Sequence, residues 1–216
     1  KHDNPHPERE IQARVAALQR RLARCDLCPR RCHVNRLDGE VGFCQTMASP
    51  IVAHVGLHFG EEPPISGRRG SGTIFFAHCN LRCVYCQNFQ ISQCAEQIPT
   101  RALSPAALAD EMLRLQDRGA HNVNLVSPTH VAAPVAQSLC LARARGLTLP
   151  VVYNTNGYEA LETLQALEGL IDVYLPDIKY SDDQQARRYS GVDDYVTVNR
   201  RAIREMFRQV GNLVLD

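Results

Sequence analysis

From Thr73 onward the sequence predicts an α/β fold in which parallel strands are joined by helical crossovers. Short apolar segments suited to strands, at 73–77, 122–126, 149–153, 172–175 and 213–215, alternate with amphipathic helical stretches. The helices carry start and stop signals, and polar clusters follow the strands. Such alternation is the pattern of right-handed βαβ units. Doubly wound sheets and (β/α) barrels both satisfy it. No G-x-G-x-x-G follows the first strand, which weighs against a dinucleotide-binding sheet.

Taken in order, residues 1–10 are polar and expected to fray. Ile11, Val15, Leu18 and Leu22 then recur at helical spacing. Cys25, Cys28, Cys32 and Cys44 follow as C-x2-C-x3-C-x11-C. Four thiolates complete a metal site, and a segment this short needs a metal as its staple. Gly39 and Gly42 allow the turns that return Cys44 to the others. Structural zinc and a second iron–sulfur cluster both fit this spacing, with a slight lean to zinc; Cys28-Pro29 is similar to ferredoxin-type clusters. Disulfides or empty thiols are the plainer alternative.

Residues 51–59 alternate, with Ile51, Ala53, Val55, Leu57 and Phe59 on one face and His54, Gly56 and His58 on the other. A loop holding Glu61 and Glu62 follows, then the turn Gly67-Arg68-Arg69-Gly70-Ser71-Gly72. The two histidines and two glutamates either line a substrate site or form a solvated hairpin face. No Lys-Ser/Thr follows the glycines, so a phosphate loop is excluded.

After the strand at 73–77, Ser104 caps a helix with Pro105 at its first position, and Leu108, Met112 and Leu115 form its stripe before Gly119. Pro134 opens the next helix and Gly146 closes it. Leu161, Leu164 and Leu167 mark a third, ended by Gly169. Asp182 caps a short helix through Tyr189, and Ile203, Phe207 and Val210 mark a last one ended by Gly211. Residues 1–72 therefore read as an N-terminal metal-binding segment and 73–216 as the α/β domain.

The chain has 216 residues, 44% apolar and 22% charged, enough for a good core in a globular protein. Its 24 basic and 23 acidic residues nearly cancel, and no basic tract interleaved with aromatics favours nucleic acid. No apolar run approaches the ~20 residues of a membrane span, and the first residues lack a signal-peptide core. The first residue is not methionine, which fits a processed or cut N-terminus. Nine cysteines, an odd number at close spacings, suit metal binding in a reducing cytoplasm. Cys94 and Cys140 are expected to pack.

The chemistry gathers at A-H-C-N-L-R-C-V-Y-C-Q-N, residues 77–88. Cys79, Cys83 and Cys86 form a C-x3-C-x2-C triplet directly after an apolar strand. Three thiolates can hold three irons of a four-iron cluster and leave the fourth iron open. Zinc would need His78 or Cys94 as a fourth ligand, and buried free thiols sit poorly beside Asn80, Arg82 and Gln87. Polar clusters also follow the later strands: Ser127-Pro128-Thr129-His130, Asn154-Thr155-Asn156-Gly157 and Pro176-Asp177-Ile178-Lys179. Sites in parallel α/β folds lie at these strand ends.

The triplet, with aromatic Tyr85 before its last cysteine, resembles the radical S-adenosylmethionine (radical SAM) enzymes. C-N-L-R-C-V-Y-C-Q-N is most similar to the activating enzymes of pyruvate formate-lyase and their uncharacterised relatives. The resemblance covers roughly residues 73–216. It implies an open, partial (β/α) barrel with fewer strands here than usual, and so an incomplete C-terminal portion. Some of these enzymes carry extra clusters, commonly after the triplet and not before it.

The resemblance also implies roles. Cys79, Cys83 and Cys86 would hold a 4Fe-4S cluster whose open iron chelates S-adenosylmethionine. Tyr85 would pack near the adenine, with backbone at Cys86 and Asn88 assisting. The 127–130 segment stands where relatives carry Gly-Gly-Glu for the methionine amino group; Ser127 and Thr129 are substitutes, with His130 beside them. N-T-N-G resembles the relatives' D-T-N-G, with Asn154 in place of the acid and Asn156 within the motif. D-I-K matches D-x-K, placing Asp177 and Lys179 near cofactor and substrate. Loss of one acid puts the relatives' monovalent cation in question. Without the resemblance, Asp177 and Lys179 read equally well as a strand-end ion pair.

The implied chemistry is that of an oxidoreductase. An electron from flavodoxin or ferredoxin cleaves S-adenosylmethionine, and the 5′-deoxyadenosyl radical takes hydrogen from a substrate. A glycyl-radical activase acting on a polypeptide leads. A radical enzyme for a small molecule or peptide side chain, and a non-catalytic iron–sulfur electron carrier, are the alternatives.

Overall fold

The computed structural model describes residues 7–212, so the strand expected at 213–215 lies outside the described residues. Helix α1 (Glu8–Arg20) buries Ile11, Val15 and Leu18, and Leu22 continues that face in the following 3-10 turn. Residues 8–10 are helical and not frayed, because Glu8 and Glu10 face the positive end of the helix dipole. The cysteine-bearing stretch after it holds only a 3-10 turn at Arg36–Asp38 before β1 (Ile51–His58).

β1 departs from simple alternation. Its register against β2 (Ser71–Phe76) slips between Val52 and His54, a bulge that turns the strand. Val52 and Gly56 become the fully buried positions; Ala53, Val55 and Leu57 are half-buried, and Phe59 lies beyond the strand, 64% exposed. A single helical turn, α2 (Pro63–Ser66), links β1 to β2, and α3 (Phe89–Gln93) follows the cysteine triplet. The edge strand β3 (Arg101–Ala102) is too short to leave a sequence pattern.

From there strands and helices alternate as expected. α4 (Pro105–Asp117) is capped by Ser104, whose hydroxyl accepts from the amide of Ala107 at 3.2 Å. β4 (Val123–Val126), α5 (Ala132–Ala144), β5 (Val151–Thr155), α6 (Leu161–Leu167) and β6 (Val173–Pro176) follow. A 3-10 turn at Thr129–Val131 leads α5 in ahead of Pro134. α7 (Asp183–Ser190) is capped by Asp182. α8 (Tyr195–Val210) corrects the expected stripe: it buries Tyr195, Asn199, Ala202 and Met206, while Phe207 is exposed.

All strands form one six-stranded sheet in the order β3-β1-β2-β4-β5-β6. β2, β4, β5 and β6 run parallel, and β1 and β3 are antiparallel additions at one edge. Outer strands β3 and β6 do not pair with each other among the described residues, so the sheet is an open partial barrel. Central strands are buried almost throughout, as expected where helices cover parallel strands. α1, α4, α5 and α6 pack outside, with Leu108, Met112, Leu115, Val135 and Leu139 in the core. Truncating one such side chain to alanine costs about 2–5 kcal/mol. Such rigidity holds the strand ends, and the loops on them, in fixed relation.

Candidate active site

The C-terminal ends of β2, β4, β5 and β6 open onto a cavity of about 600 Å³. That volume is typical of small-molecule sites. After β2 come Cys79, Cys83, Tyr85, Cys86 and Asn88; after β4, Ser127; at the end of β5, Asn154 and Asn156; and after β6, Asp177 and Lys179. The β1 side contributes His58 and Glu61, which lie 3.3 Å apart.

The triplet loop is shaped around its sulfurs. His78 and Arg82 adopt left-handed backbone with φ of 68° and 54°, a conformation that costs energy for non-glycine residues and concentrates at functional sites. Cys79 is buried and accepts from the amide of Leu81 at 3.3 Å and from Asn156 Nδ2 at 3.5 Å. Cys86 accepts from the hydroxyl of Ser92 at 3.3 Å. Burial pushes the Cys79 thiol up, opposed by these donors. A cationic metal group is what would hold such a thiolate ionised. Three thiols open to a cavity of about 600 Å³, two of them with donors aimed at their sulfurs, fit an iron–sulfur cluster with a bound cofactor.

Across from the triplet, Lys179 Nζ lies 2.7 Å from Asp177 Oδ2. Burial works to lower the ammonium's pKa, but Asp177 and the thiols of Cys83 and Cys79 outweigh it and hold it above its usual value. The lysine thus stays cationic beside the sulfurs. Tyr85 is half exposed, its ring edge-on to Tyr180 and Tyr189 at about 6 Å. Ser127 faces the cavity in left-handed backbone, φ 55°.

Other expected residues do not line the cavity. Thr129 is buried behind it, its hydroxyl 2.5 Å from Glu159. His130 is buried too, its Nε2 2.8 Å from the carbonyl of Ala77. Burial lowers its pKa to about 3, so the ring is neutral and Nε2–H donates. The 3-10 turn after Pro128 draws both side chains inward. His54 and Glu62 are exposed on the hairpin and do not line the cavity, although His54 and His58 both stand against the ring of Phe75, each 6.2 Å from it. Cys25, Cys28, Cys32 and Cys44 line a separate small cavity with Asn80 and His130 in its wall. Cys94 and Cys140 are half-buried.

Tyr195, Asn199 and Glu159, which the sequence did not flag, complete the site together with Gly157 of N-T-N-G. The hydroxyl of Tyr195 donates to the carbonyl of Asn156 at 2.8 Å and accepts from the amide of Lys179 at 3.0 Å. Asn199, one turn on, donates to the carbonyl of Asp177 at 2.8 Å. Their i, i+4 spacing on one face of α8 was the available signal. Glu159 is buried among Thr129, Thr155 and Tyr153, and burial raises its pKa to about 7. Gly157 has φ 74°, and a Cβ there would meet Asn199 Nδ2 at 2.1 Å and the Asp177 carbonyl at 2.5 Å. Only glycine lets the β5 and β6 ends close up.

Comparison with known proteins agrees with this architecture. A relative in Methanocaldococcus jannaschii, known only as an uncharacterised protein, is 33% identical over 197 residues, covering 88% of this chain and 56% of its own. A second uncharacterised protein of that organism is 28% identical over 180 residues, 74% of this chain and 50% of its own. The chain thus spans about half the length of these curated relatives. No helix among the described residues is long and apolar enough to cross a membrane. The sequence model of the Radical SAM superfamily matches residues 73–215, from β2 through the end of α8 and beyond, and with the cysteine triplet at the mouth of an open parallel sheet it establishes that the chain belongs to the radical SAM superfamily.

Proposed function

We propose that the protein is a radical SAM oxidoreductase that cleaves S-adenosylmethionine reductively and takes hydrogen from a polypeptide, as a glycyl-radical activase does. The observation that supports it most is the cysteine triplet facing a cavity of about 600 Å³ with cationic Lys179 opposite. Cys79, Cys83 and Cys86 would hold a 4Fe-4S cluster. When bound, that cluster supplies the electron that breaks the sulfonium bond of the cofactor, yielding the radical that abstracts hydrogen. Tyr85 offers a ring face for the adenine. Ser127, Asn154 and Asn156 offer polar contacts at the strand ends, and Lys179 with Asp177 would offer charge to the cofactor's carboxylate and amino groups.

A polypeptide substrate is favoured by the rim. Val84, Tyr85 and Ile178 are exposed apolar side chains on the loops carrying the triplet and the Asp177–Lys179 pair, and Phe89 is exposed at the start of α3. Clustered exposed apolar groups mark protein-binding surfaces. A cytoplasmic flavodoxin or ferredoxin would serve as reductant.

The test is to add candidate glycyl-radical proteins to reduced enzyme with S-adenosylmethionine and record electron paramagnetic resonance (EPR) spectra. A stable radical on the added polypeptide is expected. Hydrogen lost from a metabolite, with no polypeptide radical, would replace this reading with the small-molecule one.

A further inference from the structure

We propose that Cys25, Cys28, Cys32 and Cys44 hold a second iron–sulfur cluster that relays electrons to the cluster of the triplet. The relay rests on the radical SAM reading; the cluster itself does not.

The four cysteines, remote in sequence from the triplet, line one cavity of about 10 Å³. That is room for one water-sized sphere. Four thiolates can hold zinc or a four-iron cluster, which iron and sulfide analysis tells apart. Among the described residues, no group of three or more His, Cys, Asp or Glu side chains converges on a single-ion site. This holds equally for the triplet, whose family uses a cluster and not an ion.

The two cysteine loops also share their backbone device. Among the described residues, the non-glycine residues with positive φ are Arg31, His33 and Gln45 beside the four cysteines, His78 and Arg82 beside the triplet, and Ser127. Such left-handed positions turn successive amides into concave nests that receive anionic groups, iron–sulfur clusters among them. An amide reaches a sulfur in each loop: Phe43 to Cys32 at 3.4 Å and Leu81 to Cys79 at 3.3 Å. The wall supplies positive charge from Arg36, fully buried, with a guanidinium nitrogen 3.7 Å from Cys25 Sγ. His130 Nδ1 is buried in the same wall without a hydrogen-bond partner.

The relay follows from adjacency. Asn80 lines the four-cysteine cavity and is the residue next to Cys79. Arg30, also in that wall, donates to the carbonyls of Asn80 at 3.0 Å and Leu81 at 3.4 Å, and stacks over Phe43. One electron from a reduced low-potential flavodoxin or ferredoxin would pass by way of the group held by Cys25, Cys28, Cys32 and Cys44 to the cluster held by Cys79, Cys83 and Cys86, which would supply it for cleavage of the sulfonium bond. No bond forms or breaks at the four cysteines.

The test uses the chain with iron and sulfide restored anaerobically. The Cys79→Ala/Cys83→Ala/Cys86→Ala variant should keep iron and sulfide in equal amounts and a reducible EPR signal that S-adenosylmethionine leaves unchanged. Zinc, or no iron, in that variant overturns the second cluster, whatever the fate of the radical reading. Cys28→Ala should lose this same signal and keep the one that responds to S-adenosylmethionine. Persistence of both overturns the ligand assignment; should this variant not fold, the triple variant decides. For the relay, the unaltered chain is fully reduced, freed of reductant and given S-adenosylmethionine. Both signals should vanish, with 5′-deoxyadenosine exceeding the triplet's cluster content. Persistence of the second signal overturns the relay.

Discussion

The side-chain amide of Asn156 lies 3.5 Å from the sulfur of Cys79 and 2.8 Å from Asn80 Oδ1, tying the end of β5 to the loop after β2. One residue of the N-T-N-G segment thereby supports, from behind, the sulfur that would bind the proposed cluster. In Asn156→Ala the Asn80 oxygen loses its donor in a buried place, and stability should fall by about 1–3 kcal/mol. Removing a hydrogen bond to sulfur also leaves more negative charge on it, so the reduction potential of the bound cluster should fall. Spectroelectrochemistry and denaturant titration measure the two effects separately.

Gly157→Ala should destabilise more than it perturbs chemistry directly. The left-handed backbone costs alanine roughly 1–2 kcal/mol, and the contacts with Asn199 and Asp177 add overpacking of about 1–3 kcal/mol. A denaturant midpoint lowered accordingly is expected. An unchanged midpoint would mean that the β5 and β6 ends are not held as described.

Glu159 should make stability depend on pH. Burial raises its pKa from 4.5 to about 7 in the folded chain, so folding takes up a proton between those values. Its contribution is present in full below about pH 4.5 and is lost as pH rises through about 7, by roughly 3 kcal/mol. In Glu159→Gln that slope should disappear from the melting temperature plotted against pH. An identical slope in the variant would assign it to another group.

Lys179→Met should leave cluster content unchanged while slowing cofactor cleavage about 100-fold, the usual cost of removing one preorganised charged donor. Iron analysis beside 5′-deoxyadenosine rates distinguishes this from loss of the cluster. Asp177→Asn should act less strongly, because Lys179 keeps its charge without its partner.

The sequence made the parallel elements legible because each carried its own local signal. Ser104-Pro105 marked the start of α4, and the apolar runs ahead of Cys79, Ser127, Asn154 and Asp177 marked the strands whose ends carry the site. The bulge at Val52 left no mark, since alternation by itself assumes an unbroken register. α8 misled for a different reason. Tyr195 and Asn199 are buried for their hydrogen bonds to the strand ends, so an apolar stripe drawn through Phe207 missed the true face. Thr129 and His130 carried the right chemistry for a strand end, but a 3-10 turn carried them behind the wall. The left-handed positions at His78 and Arg82 were invisible because no glycine announces them.

The triplet and its cavity are proposed to perform radical chemistry on S-adenosylmethionine. The direct measurement is 5′-deoxyadenosine formed by the chain after anaerobic restoration of iron and sulfide, reduction, and addition of S-adenosylmethionine. The unaltered chain should form 5′-deoxyadenosine and methionine in equal amounts, and Cys83→Ala should form none. A chain with an intact, reduced cluster that forms none, even with candidate polypeptide partners present, would contradict it.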